Sequence, residues 1–204
     1  SYFLFSLTQA QLAQALFPVG DLAKDDVRRA AASMGLDVAS KPDSQEICFV
    51  PDDDYAGFLE RESPALATSG AVVDQHGHTM GSHGGVHRFT IGQRKGLGLS
   101  AGVPLYVVNI DATRQEVTVG PREALDRTGF TVSRVNWIAG TAPAGCITAQ
   151  VQIRHRHQAA AARVSAIDDG RTEVTFESPQ SAITPGQAAV FYAGDEVLGG
   201  GWID

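Results

Sequence analysis

Cysteine is scarce in this sequence, with two residues, Cys48 and Cys146, among 204. Two thiols cannot form the disulfide framework that stabilises small secreted domains, so a reducing, cytoplasmic compartment is expected. Long apolar runs are lacking as well: no stretch of about 18 hydrophobic residues occurs, which excludes a membrane-spanning helix. With 43% hydrophobic and 19% charged residues, the composition is that of a globular protein rather than a disordered chain.

Acidic residues are absent from one segment, residues 75–110, although the whole chain has a net charge of −7. The overall charge argues against a protein that coats nucleic acid or anionic membrane nonspecifically. The segment suits a localised anionic ligand instead, because it contains three basic residues and four histidines. These residues are Arg88, Arg94, Lys95, His76, His78, His83 and His87.

The histidines of this segment are open to three interpretations. Imidazoles interleaved with Arg and Lys in a Gly-rich loop can contact phosphate and stack on RNA bases, which makes Arg88, Arg94 and Lys95 candidate RNA-binding residues. They can also be solvated loop side chains with no ligand. Neutral imidazole is a common metal ligand, so a His-rich metal protein is the third interpretation, although no cysteine lies nearby and no H-E-x-x-H pattern occurs.

Apolar periodicity predicts helices in the first third of the chain. Thr8 is placed to cap a short helix over residues 9–16. A second helix is predicted from about Asp25 to Met34, with Gly35 at its C-terminal end. A third helix is predicted after residue 52, with Asp52 as its N-cap.

The rest of the chain shows sequence patterns that are typical of β-strands. The apolar run 47–50 predicts a short strand, residues 71–74 open one antiparallel hairpin, and residues 105–110 and 116–119 form another. From about residue 133 to the end, short alternating strands at regular spacing predict a small closed barrel.

The alternation of apolar and polar residues that starts near Ile147 also predicts the orientation of two arginines and two histidines. If the strand continues to His157, Arg154 and Arg156 lie on one face, and His155 and His157 lie on the other.

Two short features are ambiguous when taken alone. Cys48 lies in an apolar run, where a single cysteine is usually a small buried hydrophobe. It precedes a proline and a helix start, however, so its thiol can lie near a cleft with a positive helix end. The stretch 96–101 matches G-x-G-x-x-A, but strand-like residues follow it rather than a helix, so we expect no nucleotide site there.

Four longer motifs are far more specific. They are SQEICFV at 44–50, HRFTIGQRKGL at 87–97, AITPGQAAVFY at 182–192 and GGGWI at 199–203. In these motifs the chain resembles the bacterial tRNA-specific 2-thiouridylases, and the resemblance extends over residues 1–204.

That resemblance implies an enzyme, a tRNA-uridine 2-sulfurtransferase. Such enzymes use ATP with Mg²⁺ to adenylate uridine 34 of the tRNA anticodon, then replace its 2-oxygen with sulfur from a cysteine persulfide. Cys48 takes the persulfide-bearing role, and Arg154, His155 and Gln187 are expected to contact tRNA. The expected partners are tRNA and a persulfide donor protein, with no membrane, in a cytoplasmic monomer.

The family architecture also implies a domain division and a fold class. The expected domains are a C-terminal remnant of the ATP-binding domain at 1–46, a central tRNA-binding α+β domain at 47–132, and a β-barrel at 133–204 similar to those of translation factors. The second cysteine, the catalytic acid and the ATP loop of the family belong to the part of the N-terminal ATP-binding domain that these 204 residues lack. We therefore expect no ATP site within this chain, and no activity from the chain alone.

Two alternatives of other classes stay open. A noncatalytic RNA-binding module with a translation-factor-like barrel would leave Cys48 merely buried, and a His-rich metal protein would use the histidines of residues 75–110. The thiol reactivity of Cys48 separates the first alternative from an enzyme, and the metal content of the purified chain tests the second.

Overall fold

The structure, a computed structural model, describes residues 2–41, 50, 54–167 and 170–204. The α-helices in these ranges are short, and most of the regular structure is β-strand. The α-helices are α1 Gln9–Leu12, α2 Lys24–Ser33 and α3 Tyr55–Glu62. Short 3-10 helices are Tyr2–Ser6, Asp37–Ser40, Pro64–Leu66, Val86–Arg88 and Arg122–Leu125. The strands are β1 Gly70–Val73, β2 Thr79–His83, β3 Tyr106–Asp111, β4 Glu116–Gly120, β5 Asp126–Trp137, β6 Cys146–Gln152, β7 Ala160–Ala166, β8 Thr172–Ser181, β9 Ala188–Ala193 and β10 Glu196–Ile203.

The chain divides into two compact units. Ser1–Leu12 and Ala65–Asp204 form the first, and Ala13–Pro64 form the second. None of the helices in the described ranges is long and apolar enough to cross a membrane.

The second unit contains α2 and α3. The predicted helix ending at Gly35 is confirmed: Gly35 has φ +70°, and the Leu36 N–H donates to the Ala31 carbonyl, as in a glycine-terminated helix. Asp54, not the expected Asp52, caps α3, because its carboxylate accepts from the Gly57 N–H at 2.9 Å. The strand predicted at 47–50 lies, except for Val50, outside the described residues.

The first unit contains a four-stranded mixed sheet in the order β2-β1-β4-β3. Both predicted antiparallel hairpins, β1 with β2 and β3 with β4, are confirmed. A parallel pairing of β1 with β4, in which Val72 lies opposite Val117, joins the two hairpins and was not expected. Val107 and Val119 pack with these two valines in the core of the sheet.

The predicted barrel is confirmed as a closed, antiparallel structure of six strands in the order β10-β5-β8-β7-β6-β9. Alternate side chains point inward and fill it, as a small barrel requires. Its buried centre includes Val132, Val151, Val164, Val174 and Phe191. The first barrel strand, β5, starts at Asp126, which is seven residues before the barrel boundary predicted at residue 133. The described residues therefore comprise short helices, a mixed sheet and an antiparallel barrel.

The N-terminal residues pack against the outside of this barrel. Tyr2 and Phe5 are buried with Ala188 and Val190 of β9. The helix predicted over 9–16 is shorter than expected, since α1 ends at Leu12.

Hydrogen bonds from the Asn136 side chain hold this N-terminal segment in place. The Asn136 side-chain amide donates to the carbonyls of Phe5 at 2.7 Å and Leu7 at 2.9 Å. In β10, Gly200 leaves room for the Phe5 ring, because a Cβ at Gly200 would lie 2.8 Å from that ring and 2.6 Å from the Ala189 carbonyl.

We predict that Asn136→Ala destabilises the first unit. The substitution leaves two partly buried carbonyls without their donor, at a cost of about 2 kcal/mol. For a unit of this size, that cost lowers the midpoint of thermal unfolding by about 4–8 °C. Circular dichroism melting measures it, and Asn109→Ala, at an exposed position of β3, serves as the control. Equal melting temperatures for the two variants would contradict the prediction.

Candidate nucleic-acid interface

The motif at 87–97 folds into a loop that the Gln93 side chain holds together. Gln93 Oε1 accepts from the Thr90 N–H at 2.9 Å, and Gln93 Nε2 donates to the Lys95 carbonyl at 2.9 Å. The Gln93 N–H also donates to the Thr90 carbonyl. One side chain thus closes the turn at both ends.

Strand β3 anchors this loop. The Gly92 N–H donates to the Val107 carbonyl at 2.8 Å, and the Val107 N–H donates to the Gln93 carbonyl at 2.9 Å. Gly92 has φ +85°, a conformation that favours glycine, and a Cβ there would lie 3.1 Å from the Cβ of Ala182. The loop therefore meets the barrel at the residue that follows β8.

On the barrel side, Arg154 fixes the segment after β8. Its Nη1 donates to the carbonyls of Ser181 at 3.0 Å and Ala182 at 3.5 Å. The Thr184 hydroxyl donates to the same Ala182 carbonyl at 3.0 Å, and the Ala182 N–H donates to Leu125. Ala182 has φ +58°, an uncommon conformation for a non-glycine residue, which these bonds hold.

The expected alternation of Arg154, His155, Arg156 and His157 on two strand faces is wrong. Strand β6 ends at Gln152, and the next residues form a turn in which the His157 N–H donates to the Arg154 carbonyl at 2.9 Å. The Gln152 side chain causes the change, because its Nε2 donates to the carbonyls of Arg154 and His155 and so competes with continued strand pairing.

A partly buried hydrogen bond supports this turn. The Tyr192 hydroxyl donates to Gln152 Oε1 at 3.2 Å, which orients the Gln152 amide toward the turn. Burial raises the pKa of Tyr192, so the hydroxyl keeps its proton and remains a donor. Arg154 and His155 are therefore presented by a hydrogen-bonded network rather than by a flexible loop.

His157 closes the other side of the turn. Its Nδ1 accepts from the Ile153 N–H at 3.5 Å, so its Nε2 carries the proton and donates to Gln180 Oε1 at 3.0 Å. Burial lowers the pKa of His157, an effect that the Gln180 hydrogen bond partly opposes and that Arg154 reinforces. The neutral form fits this geometry, because protonation of Nδ1 would remove the acceptor.

The loop, the turn and the segment after β8 enclose a groove of about 350 Å³. A second cavity, of about 440 Å³, shares Thr90, Ile91 and Thr184 with it. The structure thus brings two of the expected site residues, Arg154 and Gln187, into one groove with the loop of the 87–97 motif. The groove is lined by Thr90, Ile91, Gly92, Ile153, Arg154, Ala182, Thr184 and Gln187.

Family models of known proteins match three successive segments of the chain. Three family models match in sequence along the chain: a tRNA methyl transferase HUP domain at 1–52, a tRNA methyl transferase PRC-barrel domain at 56–121, and an aminomethyltransferase beta-barrel domain at 127–203. The last range coincides with strands β5 to β10.

Curated relatives match over the whole chain. The tRNA-specific 2-thiouridylase MnmA of Solibacter usitatus is 56% identical over 212 residues, which cover 100% of this chain and 57% of that protein. The proteins of the same name from Geotalea uraniireducens and Chloroflexus aurantiacus are 53% and 49% identical, and the chain covers 54% and 56% of them. The chain belongs to the tRNA-specific 2-thiouridylase family. It spans little more than half the length of these 2-thiouridylases.

The remaining expected site residues of this 2-thiouridylase-family chain that the structure describes do not line the groove. Arg88, Arg94 and Lys95 are exposed, and Arg94 lines a separate cavity of about 230 Å³, whose lining also includes Leu97 and Leu105. His155 is exposed on the turn. Cys48, the expected persulfide carrier, lies outside the described residues.

The histidines of the 75–110 segment have structural partners. Asp74 accepts from the backbone N–H groups of His76 and His78 and pairs with the His78 ring, and these bonds hold the pKa of Asp74 at about 2. His83 is buried and accepts from the Gly85 N–H. Within the described ranges, no group of three or more His, Cys, Asp or Glu side chains could hold a metal ion.

Sequence reasoning missed Thr90 and Thr184 as lining residues. Both lie inside the family motifs quoted above, at 87–97 and 182–192, so the motifs contained the signal. A hydroxyl in a turn has no distinctive pattern of its own, however, and only the packing of loop against barrel brings the two threonines into the same groove.

We predict a pH dependence of stability that depends on His157. The ordinary pKa of histidine is 6.5, and burial lowers the pKa of His157 in the folded state. The unfolded chain therefore binds this proton more readily. The contribution of neutral His157 to the free energy of unfolding is therefore full above pH 6.5. It is lost as the pH falls toward the lower pKa that His157 has in the folded state. Between about pH 7 and pH 5, the melting temperature of the unsubstituted chain should fall more steeply than that of His157→Gln. Equal slopes in the two proteins would contradict this account.

Proposed function

We propose that this chain is the tRNA-docking and sulfur-carrying part of a tRNA-uridine 2-sulfurtransferase. The complete reaction transfers persulfide sulfur to position 2 of uridine 34 in the anticodon after ATP-dependent adenylation. The proposed tRNA docking is supported by one observation: Arg154, Gln187 and residues 90–92 line the same groove. Family membership supports the chemistry, since the curated relatives are named as tRNA-specific 2-thiouridylases.

The groove has the chemistry of a phosphate and ribose contact site. A guanidinium has five N–H donors, and the bonds of Arg154 to Ser181 and Ala182 engage Nη1. Nη2 and Nε of such a group can pair with a phosphate in the charge-assisted manner that suits arginine. Thr90, Thr184 and Gln187 add hydroxyl and amide groups of the kind that position RNA backbones.

Electrostatic contacts around the groove complete the proposed surface. We assign Arg88, Arg94, Lys95 and His155 to secondary contacts with tRNA, because all four are exposed. Only a few phosphates can be neutralised by so small a set of cations, so the affinity should be modest and salt-dependent. A net charge of −7 on the chain agrees with local rather than general attraction.

ATP with Mg²⁺ supplies the activation of the uridine in the proposed reaction. The described residues that most resemble a nucleotide loop, 96–101, do not fit this role, since they run into β3 without the helix whose N-terminus would face a phosphate. We therefore assign no ATP contact to the described residues.

Cys48 is the proposed carrier of the persulfide. The terminal sulfur of a persulfide is a soft, acidic nucleophile that can displace the activated 2-oxygen of uracil, and a second thiol must then cleave the S–S bond to the carrier. Cys146 is exposed at the start of β6 and lies outside the family motifs, so it is not assigned this second role.

The proposal extends to domains and partners. Residues 1–46 would contribute to an ATP-binding domain, and 47–132 would contain the central tRNA-binding domain. The barrel would comprise 133–204 together with the start of β5 from Asp126. The partners would be tRNA and a persulfide donor protein, and the protein would act as a cytoplasmic monomer.

We predict that Cys48 rather than Cys146 accepts sulfur. The chain, Cys48→Ser and Cys146→Ser would each be incubated with a persulfide donor, and peptide mass spectrometry would locate the added mass of about 32 Da. The label should appear on Cys48 in the unsubstituted chain and in Cys146→Ser, and disappear in Cys48→Ser. Equal labelling of Cys146 would contradict the assignment. Absence of label from Cys48 would favour the noncatalytic RNA-binding module instead.

We also predict that Arg154→Ala weakens the binding of unmodified tRNA about tenfold, the loss expected for one charge-assisted contact. The slope of log K against log salt should become shallower by about 0.7–0.9 for each phosphate contact removed. Arg163→Ala, at an exposed position of β7, is the matched control and should bind as the unsubstituted chain does. Equal affinities and slopes for the two variants would contradict the proposed groove.

A further inference from the structure

An exposed pair of aromatic rings lies beside the turn that follows β6. The rings of Phe3 and His155 are stacked, with centroids 5.8 Å apart and planes at 23°. Phe3 is 70% exposed, so most of its ring surface is open to solvent. The pair joins two segments that are distant in sequence, the N-terminal 3-10 helix and the turn at 154–157.

Tyr2 packs against both rings of this pair. Its ring contacts Phe3 edge-on at 5.2 Å and His155 edge-on at 6.2 Å. Tyr2 is itself buried, its hydroxyl donates to the Ala188 carbonyl at 2.7 Å, and burial raises its pKa to about 12. The Gln152 amide holds the His155 carbonyl on the other side. The stacked rings are thus fixed before any ligand arrives.

The charge around the rings favours an anionic partner. Residues 1–20 and 127–167, the two stretches that contain Phe3 and His155, hold no Asp or Glu. Arg154 and Arg156 flank His155 in the turn, and Arg156 is exposed. A rigid, exposed π-face beside cations is the arrangement with which proteins bind unpaired nucleic-acid bases by stacking while contacting the adjoining phosphate.

We propose that Phe3 and His155 form a stacking platform for an unpaired base of the bound RNA. The platform rests on the proposed function, since it places a single-stranded part of the tRNA beside the Arg154 groove. It adds Phe3, a residue that no motif singles out, to the RNA-binding surface.

The test compares Phe3→Leu, which keeps an apolar side chain but removes the π-face, with Phe3→Trp, which keeps it. Phe17→Leu is the matched control, because Phe17 is also an exposed phenylalanine, at 55% exposure. Each protein would be titrated with unmodified tRNA and with a fully paired RNA duplex, over a range of salt concentrations. Circular dichroism would confirm that all variants are folded.

We expect Phe3→Leu to bind tRNA about tenfold more weakly, with an unchanged salt slope, because stacking releases no counterions. Phe3→Trp and Phe17→Leu should bind tRNA as tightly as the unsubstituted chain or, for tryptophan, more tightly. Binding of the duplex, which has no unpaired base, should be the same in all four proteins.

Two results would overturn the platform while leaving the proposed function intact. One is tRNA binding by Phe3→Leu equal to that of the unsubstituted chain, and the other is an equal loss of affinity for tRNA and duplex. If the unsubstituted chain bound no tRNA, the proposed function itself would fail, and the platform with it.

Discussion

The groove depends on the close approach of the Gly92 backbone to Ala182. A side chain at Gly92 would press on the Ala182 Cβ and would also strain a backbone at φ +85°. The same Ala182 carbonyl accepts from Arg154 and from Thr184, so one short segment orients both the cation and the hydroxyl of the groove. Loop and barrel are therefore joined at the point where the polar lining residues converge.

The hydrogen bonds behind this contact give the surface its rigidity. Gln93 closes the loop with both ends of its side-chain amide, and Gln152 shapes the turn with its Nε2, which donates to two carbonyls. Tyr192 orients Gln152, and Tyr2 supports the rings of Phe3 and His155. A surface held in this way loses little conformational entropy when it binds a ligand.

Local pattern was enough to predict the hairpins and the barrel, since alternation and turn residues are properties of neighbouring positions. The parallel pairing of β1 with β4 depends on residues about 45 positions apart, so no local pattern indicates it. The turn after Gln152 was missed because its cause is a side-chain hydrogen bond that competes with an otherwise regular alternation. The family resemblance pointed to Arg154 and Gln187, but the role proposed for Phe3 emerges only when two distant segments meet.

Hydrogen–deuterium exchange of the chain with and without unmodified tRNA tests the central claim, that this groove is where RNA docks, most directly. We expect tRNA to slow exchange in residues 90–95, 153–157 and 181–187, which form the loop, the turn and the segment after β8. Exchange in β7, whose residues do not line the groove, should be unaffected. Protection confined to β7 or to the β1–β2 hairpin, with no change in those three segments, would contradict it.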